Sequence, residues 1–158
     1  MSNSAKAFTL IEIMVVVVLL GILAAIVVPQ LSGASDQARQ VAFRNDIRLV
    51  RTQIELYKLQ HNGMYPGYAI QGDGSLTEWS GERFVLQLVG TTDPEGNLGG
   101  TGCGPYLERF PTNSYASDPD DAASVKEGLP DGDDTGWVFD PAANGFHAND
   151  ADIDHQQW

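Results

Sequence analysis

One hundred and fifty-eight residues carry 21 Asp and Glu against nine Lys and Arg, a formal charge of −12, with 17 Gly, 8 Pro and a single Cys. That length allows one domain, with room for an appendage. The surplus of acid argues against nucleic-acid binding, which calls for clustered Lys and Arg, and a lone Cys103 excludes an intrachain disulfide framework. No Cys/His cluster has the spacing of a zinc site.

The charge is unevenly spread. Residues 1–62 hold six bases and four acids, a net of +2, whereas residues 63–158 hold three bases and 17 acids, a net of −14. Two physically different halves share the chain.

From Ile13 to Val28 the sequence IMVVVVLLGILAAIVV has no polar side chain, and the apolar stretch reaches back to Phe8 past Thr9 and Glu12. As a helix, residues 8–28 span about 32 Å, the thickness of a bilayer core. Sixteen uninterrupted apolar residues are too many for an ordinary strand, and lipid tolerates Val in helices. The segment reads as a secretory signal peptide with a cleavage-like Ser32-Gly33-Ala34, as a plain single-pass anchor, or as something that uses Glu12. An acid at the centre of a membrane helix costs about 2.5–3.5 kcal/mol, less near an end, so it normally has a partner. Lys6 is the only base nearby in the sequence, and solvation at the interface is the alternative.

The run AFTLIEIMVVVVLLGILAAIVVP, from Ala7 to Pro29, resembles the N-terminus of the type IV pilin superfamily, most closely the major pseudopilin of type II secretion systems. The resemblance implies a leader over residues 1–7 that a prepilin peptidase removes between Ala7 and Phe8, with methylation of the new Phe8 amine. Glu12 becomes the fifth mature residue and Pro29 the twenty-second. The family usually has Gly before the cut, where this chain has Ala7. The resemblance further implies that Glu12 pairs with the Phe8 amine of a neighbouring subunit, which makes Phe8, Glu12 and Pro29 assembly residues. A carboxylate and an ammonium in a low-dielectric bundle are each costly alone and far less so together.

Beyond Pro29 the positions Leu31, Ala34, Ala38, Val41, Ala42, Ile47, Val50, Ile54 and Tyr57 recur at helical steps, predicting an amphipathic helix over 29–62 that continues the rod of 8–28 with a kink at Pro29. Asn62-Gly63 and Tyr65-Pro66 end it. Arg39, Arg44, Arg48 and Arg51 lie off the apolar stripe, either as a solvated face or for a contact between subunits.

Residues 63–158 read as a small acidic head. Ser80 is a candidate N-cap for a short helix to Val89, stopped by Gly90. Five glycines in residues 96–104 predict a flexible loop without the ending of a phosphate loop. His61 to Gly67 and GPYLERFPTNSY, 104–115, resemble pseudopilin segments. GWVFD (136–140) and NGFHAN (144–149) predict a hairpin, with Trp137, Phe139 and Phe146 as core aromatics and a third strand near Tyr115. The fold class expected is α+β, a long N-terminal helix packed on a small antiparallel sheet.

Acids cluster at Asp118/Asp120/Asp121, Asp131/Asp133/Asp134 and Asp150/Asp152/Asp154. Calcium takes six to eight oxygens, but Asp154 is followed by His155 rather than Gly, so no EF-hand is present. The resemblance implies a calcium site in a C-terminal acidic loop, for which Asp131, Asp133, Asp150 and Asp152 are the candidates; a solvated acidic face is the alternative. His61, His147, His155 and Cys103 stand in no catalytic motif, and no enzyme is expected. What the resemblance implies is a subunit that waits in the inner membrane with its head in the periplasm and polymerises into a helical filament. Its expected partners are further copies of itself, the prepilin peptidase, an inner-membrane assembly platform and minor pilin-like subunits, with no nucleic acid. A true type IV pilin, or a secreted or tethered soluble protein with a conventional signal, are the alternatives.

Overall fold

The computed structural model describes residues 8–132, 135–150 and 152–158, without the side chains of residues 28–32 and 153. The expected leader, including Ala7, lies outside the described residues, as does Asp133. The chain divides into two compact units, Met1–Val41 and Ala42–Trp158. Helix α1, Leu10–Gln60, begins in the first and ends in the second. Pro29 falls within its span.

In the first unit every described side chain from Phe8 to Val27 is exposed. Leu10–Val27 has a mean hydropathy of 3.1, long and apolar enough to cross a membrane. A helix apolar all round has no side suited to water, and its own unit provides no cover.

In the second unit the last part of α1 supplies one wall of the core. Phe43, Ile47, Val50, Ile54 and Tyr57 are buried at alternating four- and three-residue steps, which hold one face over nearly four turns. Here the expected stripe is corrected at its start. Val41 and Ala42 are exposed, and Phe43, one position on, is the buried anchor because it keeps phase with Ile47. The helix ends as expected: Gly63 N–H donates to the Lys58 carbonyl at 2.8 Å, and Asn62 and Gly63 turn the chain with φ of 55° and 84°.

Helix α2, Gly81–Val89, starts at Ser80, whose Oγ accepts from Arg83 N–H, and stops at Gly90. It buries Phe84, Gln87 and Leu88. At Gly81 it approaches the backbone of the first strand so closely that any Cβ would strike the Val125 carbonyl. Gln87 is buried but fully used: its Oε1 accepts from Gly67 N–H, and its Nε2 donates to the Tyr68 and Gly96 carbonyls. One amide thereby joins the helix exit to the glycine segment, at little net cost because each polar atom is paired. That segment is pinned rather than loose. Thr92 bridges Leu98 and Cys103 through the backbone, and the Asp93 carboxylate accepts from the N–H groups of Glu95 and Asn97.

The sheet has three strands in the order β1 Val125–Glu127, β2 Trp137–Asp140, β3 Gly145–Ala148. The expected hairpin is present: β2 and β3 are antiparallel, with Trp137 opposite Ala148 and Phe139 opposite Phe146. The sheet is nevertheless mixed, not antiparallel throughout, because β1 pairs parallel with β2, Val125 opposite Trp137. The third strand does not form near Tyr115. Asn113 Oδ1 accepts from Tyr115 N–H and Asp118 Oδ1 from Asp120 N–H, so local turns take donors that a ladder would need. A short helix α3, Ile153–Gln156, follows the sheet.

Trp137 stacks on Phe43 at 5.3 Å and on Phe146 at 5.2 Å between ring centroids, and its Nε1 donates to the Pro111 carbonyl. It joins helix, sheet and loop in one contact. Trp137→Ala is expected to cost about 3–5 kcal/mol of stability in chemical denaturation, against within about 0.5 kcal/mol for Leu49→Ala on the exposed side of α1.

Candidate assembly site

The start of α1 is built by its own sequence. Thr9 precedes the first helical residue, and both its N–H and its hydroxyl donate to Glu12 Oε2 at 2.9 Å, while Glu12 N–H lies 3.3 Å from Thr9 Oγ1. This is a capping box, in which residues three apart satisfy each other's unpaired backbone donors. The Thr-x-x-Glu spacing is the sequence signal of this cap, one that neither the charge of Glu12 nor the pilin resemblance carries. Among the described residues no cation pairs with Glu12 and none of them donates to its Oε1. Phe8, next to the cap, is 81% exposed.

In the second unit the expected calcium ligands fall in two neighbouring loops. Asp131 Oδ2 lies 2.5 Å from Lys126 Nζ, and its Oδ1 accepts from Asn149 Nδ2. Asn149 in turn accepts from the Asp131 and Gly132 N–H groups, so Asn149 fastens the Asp131 loop to the end of β3. Asp150 is buried. Its Oδ1 accepts from His155 Nδ1 at 3.0 Å and from Asp152 N–H, and its Oδ2 accepts from Asn113 Nδ2. Asp152 caps α3 through Asp154 N–H.

A third cluster lies along the last part of α1. Arg44, Arg48 and Arg51, with Ile47 and Trp158, line a cleft of about 260 Å³. Arg44 stacks its guanidinium 3.9 Å from the Trp158 ring centre. Arg51 Nε donates to the Phe146 carbonyl, and its Nη2 lies 3.5 Å from His147 Nδ1. His147 Nδ1 is closer, 3.0 Å, to the Gln156 carbonyl, which can only accept, so Nδ1 carries the proton and Arg51 is a neighbouring charge rather than a bonded partner.

Comparison with known proteins places the chain. The prokaryotic N-terminal methylation motif matches residues 2–28. Type II secretion system core protein G of Aeromonas hydrophila is 48% identical over 112 residues, 71% of this chain and 68% of that one. The protein of the same name from Pseudomonas aeruginosa is 38% identical over 112 residues, covering 71% and 69%. That from Klebsiella pneumoniae is 32% identical over 113 residues, covering 72% and 71%. The chain belongs to the core protein G family, the pseudopilins. No solved structure matches it. Family and apolar helix together make it a membrane-anchored subunit.

The calcium that the pseudopilin resemblance implies does not fit the described residues as they stand. Lys126 already neutralises Asp131, Asn113 and His155 occupy both oxygens of Asp150, and no group of three or more such side chains among the described residues is arranged to hold a metal. An oxygen cage needs these carboxylates turned towards one point. The expected outcome of calcium titration is an unchanged melting temperature; a rise that Asp131→Ala or Asp150→Ala abolishes would show the carboxylates leaving their present partners for the ion.

Burial, and then the Arg51 charge, hold the His147 pKa below its ordinary value. The unfolded chain therefore binds this proton more readily. The stabilising effect is full above about pH 6.5 and is lost as pH falls through the window below it. Melting temperature is expected to drop between pH 7.5 and 5.5, and His147→Gln to flatten that slope.

Proposed function

We propose that this protein is the pseudopilin subunit of a type II secretion filament: a structural protein whose role is assembly, not catalysis. The observation that carries the proposal is the apolar span Leu10–Val27 of α1, which begins beside a fixed carboxylate and is uncovered within its own unit. Membership of the core protein G family supports it.

Prepilin peptidase cuts between Ala7 and Phe8 and the new amine is methylated. The subunit then sits in the inner membrane with its head in the periplasm. In the filament, the Phe8 ammonium of an incoming copy meets Glu12 of its neighbour. Glu12 is prepared for this, since Oε2 is held by Thr9 while Oε1 accepts nothing from the described residues. A carboxylate fixed before the contact forms loses less rotamer entropy on pairing. The assembly platform and minor pilin-like subunits complete the partner set. Repetition of one head-to-tail contact that does not close on itself gives a filament.

Glu12→Ala is expected to leave the chain in the membrane fraction and to abolish sheared filaments under conditions where the wild-type chain forms them. Filaments at the wild-type level in that variant would remove the ion pair from the mechanism.

A further inference from the structure

Arg44, Arg48 and Arg51 are four and three residues apart, which sets them along one face of α1. None forms an ion pair among the described residues, where the described salt bridges belong to Lys126 and His155. Two of the three are held in place from behind: Arg44 by the Trp158 ring and Arg51 by the Phe146 carbonyl. Arg48 is exposed, with its guanidinium left without a partner among the described residues. Three cations around one cleft of about 260 Å³, floored by buried Ile47, repel one another until an anion enters. Guanidinium forks suit a carboxylate, which they bind through paired hydrogen bonds.

The chain itself carries a matching anion. Asp118, Asp120 and Asp121 are all exposed in one loop. Asp118 Oδ1 accepts from Asp120 N–H, while the Asp120 and Asp121 carboxylates meet neither cation nor donor among the described residues. The other two acid clusters differ, because Asp131 is paired with Lys126 and Asp150 with His155 and Asn113.

We propose that the cleft of Arg44, Arg48, Arg51 and Trp158 is a carboxylate-binding site, and that its occupant is the 118–121 loop of a second copy of this chain. The contact rests on the reading of the chain as an assembling subunit and adds a head-to-helix lock to the pairing of Phe8 and Glu12. The cleft has room for an aspartate side chain rather than a folded element, so a loop tip is the fitting partner.

The test is disulfide cross-linking of the full-length chain in its host's membranes, in a Cys103→Ala background. Copies carrying Arg48→Cys and copies carrying Asp120→Cys, co-produced and oxidised, are expected to give a dimer about fivefold or more above either variant alone. In parallel, Arg48→Asp and Asp120→Arg are each expected to lower filament yield about tenfold, and the exchanged pair to recover most of it. Either a dimer no stronger than in the single variants, or wild-type filament yield from both charge reversals, overturns the proposal. A cross-linked dimer of the two cysteine variants, in a host where the wild-type chain never forms filaments, would overturn the filament reading and leave this contact standing.

Discussion

Everything in this protein follows from an apolar surface that its own unit leaves bare. The side chains described from Phe8 to Val27 all lie exposed on a continuous helix, and water is a poor solvent for every side of it. A backbone with all its hydrogen bonds closed inside the helix is free to enter lipid, and lipid is the cover available to a single copy. Once copies gather, helix against helix is the other cover, made by packing rather than by expulsion of water. The capping box of Thr9 and Glu12 closes the upstream end of that surface and sets a single carboxylate there.

The second unit solves the opposite problem. The 96 residues from 63 to 158, 17 of them acidic, make a small body, and it gains a core by borrowing a face of α1. Phe43 to Tyr57 form the wall, Trp137 the keystone, and Gln87 the knot that holds the exit loop to the glycine segment. Charge is dealt with by position. The acids with protein partners, Asp131 and Asp150, stiffen the loops around β3, while those of the 118–121 loop stay in solvent.

Long-period features were legible in the sequence. The apolar run, the amphipathic repeat, the exit at Asn62-Gly63, the cap at Ser80 and the β2–β3 hairpin each carry their cause in adjacent residues. What escaped depends on pairings distant in sequence or on side chains that compete with backbone. Phe43 is absent from the expected stripe, and its place in the core depends on Trp137, far along the chain, stacking upon it. No strand forms near Tyr115, where the turns at Asn113 and Asp118 consume backbone donors, and the third strand is β1, paired parallel with β2. The glycine segment looked flexible because glycine permits many conformations, but Thr92, Asp93 and Gln87 choose one. Of the candidate site, Glu12 was legible, and its link to Thr9 is carried by the Thr-x-x-Glu spacing of adjacent residues. The pairing of Asp150 with His155 depends on α3, too short to announce itself.

The net charge of −12 belongs to the head, and the basic side chains that oppose it are not spread at random. Three of them meet in one cleft. The central claim, that the apolar helix is a processed, assembling membrane segment and not a discarded signal, is tested most directly by the intact mass of the chain recovered from membranes. A mature chain that begins at Phe8 and carries one added methyl group is the predicted result. A chain that begins at Ser35, with the apolar helix removed, would contradict it.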